Sequence, residues 1–225
     1  MFSRRLLRAA IFDLDGTLLD QRGAQDAAAV AFAAEHGIHD DGVIERWDAI
    51  AERHYRRYQR REIDFEDQRR DRARDFLERD LTDEDASTIF ARYGTRYAAG
   101  LRRFDDALPV LSRAKEAGLI VGLLTNGDRA QQQGKLDRFE FGPHLDVVVC
   151  SSDLAAGKPD SRAFAAALDR LGVSASEAVM IGDSLETDVR GALAAGLQAV
   201  HLARTGARDP DVVSVGSLDE LVFAD

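Results

Sequence analysis

Short runs of apolar residues recur along much of the chain, each bounded by polar residues or glycine. Runs of this length are typical of strands buried on both faces of a parallel sheet. Five of them stand out, in chain order Ala9 to Phe12, Leu119 to Leu124, Val147 to Cys150, Ala178 to Ile181 and Ala199 to Leu202. We interpret each run as one strand.

Helical patterns separate the later runs. One extends from Ser161 to Leu171 and another from Glu186 to Ala195, and the glycine that follows each suits the left-handed conformation common after a helix C-terminus. Strands that alternate with helices indicate a parallel sheet with right-handed crossovers. The pattern therefore predicts an α/β protein with a Rossmann-like core.

The stretch between the first strand and the second breaks this rhythm. It offers no convincing strand, whereas Ala24 to His36 reads as a helix, and Thr82 with the acidic residues after it resembles a capping box opening a helix toward Tyr97. We therefore predict a core formed by residues 1–21 and 101–225, interrupted by an inserted helical cap at residues 22–100.

Charge is dense within this insertion. Between Arg46 and Arg79 there are eleven arginines and nine acidic residues, and such interleaving is typical of a solvent-exposed helix face with ion pairs. Contact with a substrate is the alternative. The near balance of charge argues against nucleic acid, and we expect Trp47, Tyr55 and Tyr58 to form the core of the insertion.

The composition is that of a folded globular protein, and the net charge disfavours some classes of binding partner. The 225 residues are 45% hydrophobic and 31% charged, with a formal net charge of -10, which disfavours nonspecific binding to nucleic acid or anionic lipid. Charged residues near the N-terminus interrupt the apolar stretch that a secretory signal would need. No apolar run in the sequence is long enough to span a membrane. The single cysteine, Cys150, fits a reducing compartment. We expect a cytoplasmic protein, either a monomer or a homodimer.

The strongest chemical signal follows the first strand. Asp13 and Asp15 lie two residues apart, with Gly16 and Thr17 next. In open parallel sheets, ligands bind beyond the carboxyl ends of the strands, where Asp13 is expected. Two such close acids require a cation or a proton between them, which allows one to stay ionised while the other carries a proton.

Polar groups also follow three later strands. The residues concerned are Thr125, Asn126 and Gly127 after the second run, Lys158 before Pro159, and Asp183 and Asp188 after the fourth run. Hydroxyl, amide and backbone N–H groups can hold phosphoryl oxygens, and a lysine supplies a compact charge to a phosphate. Capping of the next helix is the structural alternative for the Thr-Asn pair. Carboxylates at a strand end suit a hard cation.

Together these residues predict a phosphoryl transfer. Asp13 attacks phosphorus, while Mg²⁺ held by Asp13, Asp183 and the backbone carbonyl of Asp15 neutralises the oxygens. Asp15 protonates the leaving group and later takes a proton from water. We expect Thr125, Asn126, Gly127 and Lys158 to bind the phosphoryl group, Lys158 to act in catalysis as well, and Asp188 to orient Lys158 or a metal-bound water.

These motifs, in this order, resemble those of the haloacid dehalogenase-like hydrolases. The second and fourth motifs, around Thr125 and Asp183, look most similar to the branch that holds N-acylneuraminate-9-phosphatases and pyrimidine 5'-nucleotidases. The resemblance implies a helical cap of the family's first type and hydrolysis of a small-molecule phosphate ester. No substrate signature is recognisable in the insertion.

Other functions stay open. A phosphosugar mutase keeps both aspartates, and a haloacid dehalogenase shares the fold, although such enzymes need neither a metal nor a leaving-group acid and typically lack the second carboxylate. A two-component receiver domain has a different motif order and about half this length. A catalytically silent scaffold is the remaining non-enzyme alternative, although every expected catalytic position is filled.

Overall fold

A computed structural model describes residues 7–206 and 208–223, so the start of the chain, on which the expectation about a leader depends, lies partly outside it. The chain divides into two compact units. One contains the residues up to Leu19 and from Arg103 onward, and we call it the core; the other, Asp20–Arg102, is the helical unit. No helix in the described ranges combines the length and apolar character needed to cross a membrane.

A six-stranded parallel sheet organises the core. Its strands in chain order are β1 (Ala9–Phe12), β4 (Ile120–Thr125), β5 (Val147–Cys150), β6 (Ala178–Gly182), β7 (Gln198–Leu202) and β8 (Ser214–Val215). Their spatial order is β5-β4-β1-β6-β7-β8, which places β1 between β4 and β6. The α/β, Rossmann-like prediction is confirmed.

Alternate residues of β1 point to opposite faces of the sheet, as the two-residue period of a strand requires. Ala10 and Phe12 pack into one apolar cluster, and Ala9 and Ile11 pack into the other. Helices cover both faces, so the strands are continuous apolar runs rather than alternating ones.

The core helices connect these strands. They are α5 (Ala107–Glu116), α6 (Arg129–Arg138), α7 (Ser161–Leu171) and α8 (Gly191–Ala194). Helix α7 ends as the sequence predicts, with Gly172 in the left-handed conformation at φ +66°. The helix predicted from Glu186 to Ala195 is wrong in form, because Leu185–Arg190 winds as a wider π-helix and only Gly191–Ala194 is α-helical.

Four helices make up the helical unit. They are α1 (Gln21–Glu35), α2 (Val43–Gln59), α3 (Phe65–Leu77) and α4 (Asp83–Gly100), and the short strands β2 (Leu19–Asp20) and β3 (Arg102–Arg103) flank them in the chain. Thr82 caps α4 by accepting a hydrogen bond from the Asp85 N–H. The helix continues beyond the predicted end at Tyr97 to Gly100, where the close approach of α1 leaves little room for a side chain.

Aromatic side chains form the interior of the helical unit. Trp47 and Tyr58 are buried as predicted, whereas Tyr55 is only half-buried. Phe32, Phe76 and Tyr93 pack around the Trp47 ring. The predicted charged face is present as well, with arginine–carboxylate pairs within helices α2 and α3 and between them.

Candidate active site

Asp13 follows β1 directly, and its position is fixed by the sheet. Its backbone N–H donates to the Ile181 carbonyl at 2.9 Å, which extends the pairing of β1 with β6 by one residue. Because β1 lies between β4 and β6, the carboxyl ends of three strands meet here, and Asp13, Thr125 and Asp183 each stand at one of them.

Lys158 joins two of the predicted acids. Its Nζ lies 2.6 Å from Asp13 Oδ1 and 2.6 Å from Asp188 Oδ1, and its side chain is 2% exposed. Burial alone would lower the pKa of Lys158, but the two carboxylates outweigh it and raise the pKa above its ordinary value. The lysine therefore stays charged, and it orients one oxygen of Asp13.

Asn126 makes a contact that the sequence did not predict. Its side-chain amide donates to the Lys158 carbonyl at 2.6 Å, and its Oδ1 accepts from the Lys158 N–H at 2.7 Å. This pair of hydrogen bonds fixes the backbone of Lys158, and the predicted contact of Asn126 with a phosphoryl group stays a prediction. The peptide bond between Lys158 and Pro159 is cis.

Asp183 is held by Thr17. The Thr17 hydroxyl donates to Asp183 Oδ1 at 3.2 Å and accepts from the Asp183 N–H at 3.0 Å. Gly16 makes this approach possible, because it adopts φ +91° and a Cβ there would lie 2.3 Å from the Asp183 carboxylate. The motif after Asp15 therefore needs its glycine for two independent reasons.

The acidic cluster fits a divalent cation. One carboxylate oxygen from each of Asp13, Asp183 and Asp188 lies within 4.8 Å of the others. Among these three acids and Lys158, three negative charges face one positive charge. Burial, with the Asp188 carboxylate adding to it, raises the pKa of Asp183 to about 6. A hard cation with oxygen ligands would relieve this repulsion.

The pKa of Asp13 moves in the same direction. Burial raises it well above the ordinary value of an aspartate, Lys158 opposes the shift, and the Asp188 and Asp183 carboxylates add to it. Asp188 Oδ1 contacts Lys158 Nζ, the residue it is predicted to orient, and its Oδ2 accepts from the Ser184 N–H at 3.0 Å. The predicted metal contact through the Asp15 backbone carbonyl stays a prediction.

Asp15 contacts two residues that sequence reasoning missed. Lys135 Nζ lies 2.7 and 2.6 Å from its two carboxylate oxygens, and Gln132 Nε2 lies 3.0 Å from Oδ2. Gln132 Nε2 is also 2.7 Å from the Thr125 hydroxyl. One signal was available: Lys135 is one of three lysines in a chain with twenty-seven arginines, and it follows the Thr125 motif on the next helix.

The eight predicted site residues therefore all lie at this edge of the sheet, in connected groups. Asp13, Lys158, Asp183 and Asp188 form the acidic cluster, to which Asn126 is linked through the Lys158 backbone. Asp15 and Thr125 are linked by Gln132. Gly127 leaves space for the Gln132 side chain, which an added Cβ would meet at 2.6 Å.

Comparison with known proteins gives a consistent family. Residues 7–196 match the sequence profile described as haloacid dehalogenase-like hydrolase. The phosphoglycolate phosphatase of Rhodospirillum rubrum is 30% identical over 94% of this chain and 85% of its own length. The (S)-2-haloacid dehalogenase 4A of Burkholderia cepacia is 31% identical over 89% of this chain and 84% of its own length.

Other relatives match over shorter lengths. N-acylneuraminate-9-phosphatase of Mus musculus is 37% identical over 47% of this chain and 42% of that protein, which bears out the predicted resemblance to this branch. The chain spans about half the length of several curated relatives that it matches. In structure, the HAD-hydrolase YfnB of Bacillus subtilis has a TM-score of 0.81 at 22% identity, over 96% of this chain and 97% of that one, and shares the fold.

Proposed function

This chain belongs to the haloacid dehalogenase-like hydrolases, and we propose that it is a Mg²⁺-dependent phosphatase of small-molecule phosphate monoesters. The observation that carries the proposal is the pairing of two separate carboxylate sites at one sheet edge. Asp13 lies in an acidic cluster suited to a cation, while Asp15 lies outside that cluster in contact with Lys135. This separation supports different roles for the two carboxylates, with Asp13 as the nucleophile and Asp15 in proton transfer.

The residues divide the work of phosphoryl transfer between them. Asp13 forms a bond to phosphorus as the bond to the leaving oxygen breaks, which gives an aspartyl-phosphate. Asp15 gives its proton to the departing oxygen, and its carboxylate then takes a proton from the water that attacks the aspartyl-phosphate. Lys158 orients Asp13, and this contact supports a role for its positive charge in offsetting charge on the phosphoryl oxygens.

Magnesium would be held by Asp13 and Asp183, with the backbone carbonyl of Asp15 and the adjacent Asp188 as further oxygen donors, and it would supply positive charge to the phosphoryl oxygens. Thr17 fixes Asp183 for this role through two hydrogen bonds. Thr125 and the backbone N–H groups of Asn126 and Gly127 stand at the end of β4, where they support binding of the phosphoryl oxygens.

Haloacid dehalogenation is the second candidate, because a dehalogenase is among the relatives that cover most of the chain. Halide leaves carbon as a stable anion, so its departure needs neither a proton donor nor a cation. In a dehalogenase, neither the contacts around Asp15 nor the three clustered carboxylates would therefore be required for the reaction. These two features favour the phosphatase.

The test is phosphate release from a panel of sugar phosphates, nucleoside monophosphates, N-acylneuraminate 9-phosphate and phosphoglycolate, each with Mg²⁺ and with EDTA. We expect release from at least one class with Mg²⁺ and none with EDTA. The matched control is Asp13→Asn, which keeps the size of the side chain but removes the nucleophile and should release no phosphate.

Three results would contradict the proposal. Phosphate release that persists in Asp13→Asn would assign the activity to another group or a contaminant. Halide release from 2-haloacids without any phosphate release would identify a dehalogenase. Isomerisation of a sugar phosphate that leaves inorganic phosphate unchanged would identify a mutase.

A further inference from the structure

Helix α6 presents two buried polar side chains to Asp15. Gln132 is 1% exposed and the Lys135 side chain is 7% exposed, although glutamine and lysine are rarely buried without a partner. They lie three residues apart and therefore share one face of the helix. Their common partner is Asp15, more than one hundred residues earlier in the chain.

The surroundings hold this helix face in place. Asp128 caps α6 by accepting from the Gln131 N–H at 3.0 Å, and the Ser152 hydroxyl accepts from the Arg129 N–H at 2.9 Å. Gly127 has no Cβ, and one there would overlap the Gln132 side chain. The start of the helix is thus anchored at the end of β4, and Gln132 reaches both Thr125 and Asp15.

Resting on the proposed function, we infer that Lys135 and Gln132 are positioning residues for Asp15, a clamp that aims its carboxyl group at the leaving oxygen. Lys135 donates to both carboxylate oxygens, which fixes the plane of the group, and Gln132 ties one of those oxygens to the phosphoryl-binding Thr125. The contacts of Lys135 are with both carboxylate oxygens of Asp15, so its main effect is on proton transfer.

Leaving groups provide a direct test, since they differ in how much they need a proton. The alkoxide leaving phosphoglycolate is strongly basic and requires protonation, whereas p-nitrophenolate leaves p-nitrophenyl phosphate without it. General acid catalysis contributes about 10²- to 10⁴-fold. We expect Lys135→Met to lower kcat for an alkyl ester that the wild type hydrolyses, such as phosphoglycolate, by about 10- to 100-fold, a part of that contribution. For p-nitrophenyl phosphate, kcat should stay within about threefold, since the acid is not used there.

The matched control is Lys115→Met. Lys115 is another of the three lysines, and its Nζ pairs at the surface with Asp146 at 2.8 Å. This variant should hydrolyse both esters as the wild type does. The Mg²⁺ concentration for half-maximal activity should be unchanged in Lys135→Met, because Lys135 contacts the side chain of Asp15, whereas the expected metal contact is through its backbone carbonyl.

A double-mutant cycle supplies the second readout. In an Asp15→Asn background, Lys135→Met should cause no further loss on the alkyl ester, because the group that it positions is already gone. Should Lys135→Met fail to fold, as judged by thermal unfolding, Gln132→Met is the second variant, and it should lower kcat more for the alkyl ester than for p-nitrophenyl phosphate.

The inference is overturned if both esters lose activity equally, if neither does, or if turnover of the alkyl ester rises. Equal loss on both esters would mean that Lys135 has a structural role. Faster turnover of the alkyl ester would mean that the contact with Lys135 prevents Asp15 from donating its proton. Absence of phosphate release by the wild type from any ester contradicts the proposed function itself, and the two failures are thus distinguishable.

Discussion

Lys158 sets the electrostatic balance of the site. Its side chain is buried between Asp13 and Asp188. The Asn126 side chain binds both the N–H and the carbonyl of Lys158 and so fixes its backbone. A charged lysine in such a place is stable only because both carboxylates are within hydrogen-bond distance. It compensates one negative charge of the acidic cluster and leaves the rest for a cation.

Asp183→Asn tests that division of charge. The amide keeps an oxygen for the Thr17 hydroxyl but removes one negative charge, so we expect the Mg²⁺ concentration for half-maximal activity to rise about 10- to 100-fold. The measurement is a Mg²⁺ titration of phosphate release. Asp169→Asn, at an exposed position on α7, is the control, and an unchanged titration in Asp183→Asn would show that Asp183 does not bind the metal.

Individual site residues could be predicted where they directly follow a predicted strand. Asp13, Thr125 and Asp183 follow from the position of apolar runs, because the ends of parallel strands converge. Lys135 was not predictable in this way, since its partner Asp15 is distant in sequence and only the packing of α6 brings the two together. The turn of Asn126 toward Lys158 is likewise a tertiary contact.

Among the elements, the segment after β6 departs most from its pattern. The sequence predicts a regular helix here, but Leu185–Arg190 forms a π-helix, a rare form that is frequent at functional sites. Ser184 caps it, and Asp188 contacts the Ser184 N–H and Lys158 at once. The wider helical turn occurs where Asp188 makes both contacts. The spacing of apolar residues in the sequence does not predict either one.

Helix α7 allows a pH-dependent test of capping. Asp160 caps it by accepting from the Arg162 N–H at 3.0 Å. Hydrogen bonds from the Arg162 side chain and backbone lower the pKa of Asp160 to about 2. We expect Asp160→Ala to reduce the free energy of unfolding by about 1 kcal/mol at pH 7, as for other N-cap residues.

The sign of the pH effect follows from the lowered pKa. The charged cap is fully present above the ordinary pKa of an aspartate, about 4, and is lost as the pH falls toward 2. Urea unfolding at decreasing pH should therefore show the gap between wild type and Asp160→Ala narrowing below about pH 4. Asp160→Asn, which keeps the acceptor, should lie between the two. A gap that does not vary with pH would contradict the assignment.

At the scale of the whole molecule, an ion pair between the buried Asp106 and the half-buried Arg204 joins distant parts of the core. Arg204 donates to both oxygens of Asp106, at 2.7 and 3.0 Å, and to the Thr17 carbonyl at 2.9 Å. Burial would raise the pKa of Asp106, but hydrogen bonds from Arg204, Ser217 and the Leu218 N–H outweigh it and lower the pKa. The loop after Asp15 is thereby tied to the C-terminal part of the sheet.

Arg204→Met should destabilise the core substantially. The change leaves the Asp106 carboxylate buried without its main counter-charge, so we expect the free energy of unfolding to fall by about 3 kcal/mol in a urea titration. Arg8→Met removes an exposed pair with Glu177 at 3.6 Å and should lower the free energy of unfolding much less than Arg204→Met does. Equal effects of the two substitutions would contradict the importance of the Arg204–Asp106 pair.

The order of the elements was accessible from sequence because apolar runs and helical patterns alternate along the chain. The spatial order of the strands was not accessible from sequence, because an apolar run such as Ala9 to Phe12 does not indicate which strands pair with it. The π-helix, the clamp on Asp15 and the Arg204 pair all depend on contacts between residues far apart in sequence, which no local pattern encodes.

The central position of β1 has a consequence for synthesis. Ala9 pairs in register with Ile120 on one side and Ala178 on the other, so β1 leaves the ribosome before either of its partner strands has been synthesised. A nascent chain that stops before β6 already contains Asp13, Asp15 and Lys158, but neither Asp183 nor Asp188. The proposed chemistry therefore requires that β6 and the segment after it have been synthesised, and nascent chains that stop earlier would be inactive.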